Sequence, residues 1–207
     1  MSNDFLSAVK NLTETNMPLT EMIGIAEALK AQGQHDQALQ LYSLWIKFNP
    51  NDHVVHAAYF NYAVLLSDAG KLAEAKAALE ASIAANADFF PSYINLGSVL
   101  ERMGQSGDAI TQWTAMANRL PQIPGNSLHY KLTGMKQIGR VLEGNRLNAN
   151  AEQVLRQSLD LDANQQEVLT RLRAGVDRFG VLTSNSTENV DLFLQNHGLR
   201  EHFDFIS

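Results

Sequence analysis

The chain repeats itself, and no other feature constrains its fold as tightly. Three stretches of the 207 residues align without gaps. They are MIGIAEALKAQGQHDQALQLYSLWIKFNP (22–50), YFNYAVLLSDAGKLAEAKAALEASIAANA (59–87) and YINLGSVLERMGQSGDAITQWTAMANRLP (93–121). Each opens on a large apolar residue (Met22, Tyr59, Tyr93), follows it with a small one (Ala26, Ala63, Gly97) and then with Leu (Leu29, Leu66, Leu100). A turn glycine comes next (Gly33, Gly70, Gly104), then Ala (Ala38, Ala75, Ala109), then a bulky residue (Tyr42, Leu79, Trp113). A fourth, weaker copy runs from Met135 through Gly139, Leu142, Ala151 and Leu155 to Ala163, with Arg146 where the others have glycine.

The repeat starts are 37, 34 and 42 residues apart, the last interval widened by the insertion PQIPGNSL (121–128). Apolar residues at i, i+3, i+4 and i+7 on both sides of each turn make every unit a pair of antiparallel helices. One pair cannot bury its apolar face alone, so three or more must stack. The small residues are expected where the paired helices cross (Ala26 against Ala38, Ala63 against Ala75, Gly97 against Ala109), and the large ones in the gap to the next unit. FLSAVKNL (5–12) reads as a cap helix. The period and the small/large pattern over about residues 19–170 resemble the tetratricopeptide repeat, which implies a mainly α helical solenoid.

Such a solenoid has a concave groove lined by the first helix of each pair. The inward positions hold Thr20, Ile23, Glu27 and Lys30, then Ala57, Phe60, Asn61 and Val64, then Ile94, Asn95, Ser98 and Glu101. The fourth copy supplies Lys136, Gln137, Arg140 and Glu143. Asn61, Asn95 and Gln137 share one repeat position, where the first unit has Gly24. A carboxamide both donates and accepts, so a row of them can grip the backbone of an extended peptide without reading its side chains. The row resembles the asparagine ladder in the repeats of O-linked N-acetylglucosamine transferases, including the bacterial SPINDLY-type members, as do the strings YINLGSVL and AEQVLRQSLDLDAN. The bland alternative is a set of solvated polar residues on a helix face. A carboxylate clamp for acidic chaperone C-termini fits only at Asn61, because Ile23, Glu27, Pro91 and Asn95 stand where it needs other residues, and it is rejected.

Other constellations are weaker. His53 and His56 could share a helix face, but no carboxylate completes a metal site at a matching spacing. The aromatic residues read as packing between units rather than a base-stacking platform, since no basic groove accompanies them. Asp160-Leu-Asp162 imitates a phosphatase nucleophile motif, yet it ends a helical pattern instead of a strand. The absence of cysteine excludes disulfides, thiolate metal sites and a cysteine nucleophile. A net charge of −6 argues against nucleic acid. No run of eighteen apolar residues crosses a membrane, and the start Met-Ser-Asn-Asp-Phe lacks the pattern of a secretory signal.

After about Leu169 the grammar changes. RFGVLTSN (178–185), TENVDLFLQNHGL (187–199) and FDFIS (203–207) read as strand, helix and strand, with the two strands parallel. VLTSNSTENVDLFLQNHGLREHFDFI resembles the second-motif segment of haloacid dehalogenase-superfamily phosphatases. That resemblance implies that Thr183 would hold a phosphoryl group, with Ser184 and Asn185 lining the same turn. The nucleophile, acid/base and magnesium motifs of that family have no counterpart, so no phosphoryl transfer is expected. The junction near residue 170 reads as a fusion of two gene fragments, a truncated natural protein or a genuine α/β cap, and its abruptness favours the first.

Together these readings predict a tetratricopeptide-type domain over 1–170 and a partial phosphatase-like segment over 171–207. The expected function is non-catalytic: binding an extended peptide or partner protein through Asn61, Asn95, Gln137, Phe60, Ile94 and Arg140, without cofactor or metal, nucleic acid or membrane. A cytoplasmic location and self-association through an uncapped solenoid end accompany it. The alternatives are the substrate-selecting repeats of a glycosyltransferase lacking its catalytic domain, or a phosphatase remnant.

Overall fold

A computed structural model describes residues 3–14, 17–119, 127–175, 180–181 and 205–206. The chain forms two compact units, residues 1–119 and 120–207.

In the first unit the three strong repeats are three helix pairs: α2 (Leu19–Ala31) with α3 (His35–Phe48), α4 (Val55–Asp68) with α5 (Leu72–Ala85), and α6 (Pro91–Arg102) with α7 (Ser106–Arg119). Each second helix packs on the first helix of the next pair, α3 on α4 and α5 on α6. The expected cap helix is α1 (Asn3–Glu14). It packs on both α2 and α3, burying Phe5, Ala8 and Leu12 and covering the N-terminal end of the stack. The core is the repeated apolar set, with Met22, Leu29, Leu41, Trp45, Leu66, Leu79, Leu96, Trp113 and Met116 sealed from solvent.

The turn glycines have a backbone reason. Gly33, Gly70 and Gly104 all lie near φ +75°, in the left-handed region. Each helix end closes with the same two hydrogen bonds: in the first pair Gly33 N–H donates to the Lys30 carbonyl (2.9 Å) and Gln34 N–H to that of Leu29 (2.8 Å). This is the Schellman motif, which satisfies carbonyls that the helix end would otherwise orphan.

Gly97 makes room for a ring: a methyl group on it would collide with the indole of Trp113. Trp113 Nε1 donates to the Ile94 carbonyl of its own unit (3.3 Å). Thus this large residue fills space inside its pair, because an indole needs the room that a missing Cβ leaves. Gly139 and Leu155 repeat the arrangement in the fourth copy, where an added Cβ would lie 2.6 Å from Leu155 Cδ2.

The second unit contains the fourth pair, α8 (Ser127–Gly144) with α9 (Asn148–Leu161), followed by α10 (Gln166–Gly175). Arg146 takes φ 62°, the conformation that glycine supplies in the other turns, and closes the same pair of hydrogen bonds. Helix α10, which the sequence reading did not anticipate, runs through residue 170 and packs on α9 with Val168, Leu169 and Leu172 buried. Beyond it, β1 (Gly180–Val181) pairs in parallel with β2 (Phe205–Ile206), Gly180 opposite Phe205 and Val181 opposite Ile206. The helix expected over 187–199 lies outside the described residues, as do Thr183, Ser184 and Asn185.

Candidate concave groove

The expected groove positions of the first three pairs are all exposed or half-buried, while their helix neighbours Met22, Ala26, Leu29, Ala58, Ala63, Leu66, Leu96 and Leu100 are buried. Period 3.6 therefore assigns one face of each first helix to the core and leaves the other open.

Two depressions lie on the open face. One, of about 70 Å³, sits between α2 and α4 and is lined by Ile23, Ala26, Glu27, Lys30, Tyr42, Asn61, Val64 and Leu65. The other, of about 150 Å³, sits between α4 and α6 and is lined by Ala63, Val64, Ser67, Asp68, Leu79, Asn95, Ser98, Val99 and Arg102. The two are built from the same repeat positions. Ala26 corresponds to Ala63, Glu27 to Val64, Lys30 to Ser67, Tyr42 to Leu79, Asn61 to Asn95, Val64 to Ser98, and Leu65 to Val99. Val64 belongs to both and forms the wall between them.

Their polar chemistry differs. At the first, Glu27 and Lys30 form an ion pair one helical turn apart (3.1 Å), and the floor is Tyr42. Burial, and secondarily the charge of Glu27, push the Tyr42 phenol up to about 12. Tyr42 therefore remains a neutral phenol. At the second, Arg102 reaches back from α6 to the end of α4, donating to the Ser67 carbonyl (3.0 Å) and to Ser67 Oγ.

Asn61 and Asn95 stand half-buried at these depressions, one in each. Among the described residues neither carboxamide makes a hydrogen bond within the chain. Gln137, at the same position of α8, differs: its Oε1 accepts from Arg140 Nε (3.0 Å) on the same helix. Phe60 is half-buried and stacks edge-on against Phe89, which also meets His56, so part of its surface is committed to packing. Ile94 remains half-buried, and its carbonyl accepts from both Ser98 and Trp113.

The minor sequence candidates have structural roles. His53 is exposed beside Asp52, and the His56 carbonyl accepts a hydrogen bond from Ser82 (2.7 Å). Asp162 caps the end of α9, its Oδ1 accepting from Asn164 N–H (3.0 Å). Among the described residues no three His, Cys, Asp or Glu side chains gather as a metal ion would require. No helix among them is long and apolar enough to cross a membrane. What sequence reasoning missed is Val64 as a shared wall and the contributions of Tyr42, Leu79 and Arg102. The signal for Tyr42 and Leu79 was present, since they occupy equivalent repeat positions.

Residues 56–89, which hold α5 and all of α4 but its first residue, match the tetratricopeptide repeat family model. No curated protein matches the chain by sequence. Among solved structures the chain is similar to MamA, with 17% identity and a TM-score of 0.59 over 79% of this chain and 89% of that one. It is also similar to MamA of Desulfovibrio magneticus RS-1, with 14% identity and a TM-score of 0.56 over 98% of this chain and 92% of that one. A third likeness is to YrrB, described as a tetratricopeptide-repeat protein with an unusual peptide-binding site, with 16% identity and a TM-score of 0.55 over 82% of this chain and 80% of that one. Residues 56–89 are thus a tetratricopeptide repeat, and the chain folds as a tetratricopeptide-type helical solenoid.

Proposed function

We propose that this protein is a non-catalytic cytoplasmic adaptor that holds an extended peptide segment of a partner protein along the open face of its first helices. The observation that carries the reading is the pair of unbonded carboxamides, Asn61 and Asn95, set at one repeat position beside two equivalent depressions. A half-buried carboxamide without an internal partner has its donor and acceptor free for a ligand backbone. Phe60 and Ile94 add apolar contact beside them. That YrrB is described as having a peptide-binding site favours the same use of the fold.

The test is capture of partner segments by the full chain, followed by quantitative binding of each segment to variants. Asn61→Ala with Asn95→Ala is expected to weaken binding by about tenfold or more while leaving the unfolding midpoint in place, because neither carboxamide bonds within the chain and each hydrogen bond lost to the ligand removes about 1 kcal/mol. Gly24→Asn supplies the opposite arm. A side chain at Gly24 meets open space, so this change extends the row by one carboxamide and should tighten binding. Unchanged affinity in both arms refutes the proposal.

A further inference from the structure

We infer that the bound segment lies in the polyproline II conformation, with small aliphatic side chains three residues apart entering the two depressions on either side of Val64. This inference rests on the groove reading above and specifies the ligand's shape and chemistry.

The argument begins from spacing. Because the two depressions are lined by the same repeat positions, they are offset by one step of the stack. Helices α4 and α6 touch, and packed helices lie about 8–10 Å apart. A β-strand presents side chains to one face about every 6.8 Å, twice its rise per residue, so its same-face period falls short of that step. A polyproline II segment returns a side chain to the same face every third residue, about 9.3 Å, which matches it. An α-helix offers i and i+7 at about 10.5 Å, but its backbone groups are bonded internally and its diameter is about 10–12 Å. Polyproline II makes no internal hydrogen bonds. Its amides and carbonyls are therefore available to Asn61 and Asn95, one carboxamide for every three residues.

The volumes set the side-chain class. A cavity of about 150 Å³ admits a benzene-sized group, so the depression floored by Ala63, Leu79 and Val99 takes a leucine or proline side chain. The one beside Tyr42, at about 70 Å³, takes a methyl or isopropyl group. With Glu27 neutralised by Lys30, it has no uncompensated charge to demand a charged partner. The ligand is an extended segment that presents aliphatic side chains to both depressions, with proline tolerated between the contact residues.

The experiment is selection of a random twelve-residue phage-displayed library on the full-length protein, with the enriched peptides then measured against variants. The expected result is enrichment of aliphatic residues separated by three. Ser98→Leu, which places bulk in the larger depression, should weaken those peptides by about tenfold, near the value of one buried aliphatic side chain. Val64→Phe, which crowds both depressions, should weaken them further, and circular dichroism of each variant excludes unfolding as the cause. Enriched peptides with a two-residue aliphatic period, or with amphipathic helical spacing, overturn the polyproline II inference while leaving the groove reading intact if they remain sensitive to Asn61→Ala with Asn95→Ala. Peptides indifferent to that double change overturn both, as does a selection that enriches nothing.

Discussion

Arg146 holds a backbone conformation that three glycines hold at the equivalent place, and it does so with a Cβ. A left-handed residue costs roughly 1–2 kcal/mol for an L-amino acid other than glycine, whereas adding glycine returns about 0.4–1 kcal/mol of conformational entropy to the unfolded chain. Arg146→Gly should therefore stabilise the protein by about 0.5 kcal/mol, read as a higher urea midpoint, and Gly70→Ala should move the midpoint the other way. An Arg146→Gly variant with a lowered midpoint would show that the arginine side chain contributes more than its backbone costs. Residue identity made this site legible from the sequence, because Arg146 broke an otherwise invariant turn position. The pairing of Gly97 with Trp113 was not legible in that way. Sequence periodicity aligns Gly97 with Ala109 as small residues, but only three-dimensional packing shows that the cleft left by the glycine is filled by a ring. Gln137 shares the repeat position of Asn61 and Asn95, but the bond that its carbonyl oxygen accepts from Arg140 on the same helix is not legible in that position.

At the scale of elements, the helix pairs follow directly from the repeated apolar stripe, but their ends and caps do not. Helix α1 is tied down through the segment that follows it, where Trp45 Nε1 of α3 donates to the Met17 carbonyl (2.8 Å) in a buried setting. Trp45→Phe removes that donor and leaves a buried carbonyl unpaired, at a cost of about 1–3 kcal/mol. The expected signature is a lower thermal midpoint together with faster amide exchange in α1 than in α4 or α5. Uniform loss of protection across the seven helices of the first unit would instead mean that α1 and its three pairs unfold as one block. Helix α10 illustrates where pattern reading stops. Its buried set, Val168, Leu169 and Leu172, is a single short stripe among charged residues, too brief to stand out against the change of composition after residue 169.

The first compact unit as a whole is a stack in which contacts run between neighbouring pairs. Stability in such an arrangement is close to a sum of local and nearest-neighbour contributions. Leu66→Ala, at a fully buried position of α4, should cost about 2–5 kcal/mol, and the accompanying loss of hydrogen-exchange protection should be greatest in α4, α5 and α6. Equal loss in α1 would indicate a fully cooperative unit. The helix pairs show two kinds of connection. Within every pair the turn has three residues, 32–34, 69–71, 103–105 and 145–147, each closed by the same hydrogen bonds. Between pairs the connections differ, 49–54 against 86–90, and with the longer lead-in of α4 (four residues before Tyr59, against two before Tyr93 in α6) they account for the difference between the first two repeat intervals. For anyone wishing to splice a reporter or affinity handle into this protein, the connections between pairs are the permissive seams and the three-residue turns are closed to insertion. A tag placed at 50–53 leaves every glycine turn intact, whereas one added residue at 69–71 would rotate α5 out of register with its partner.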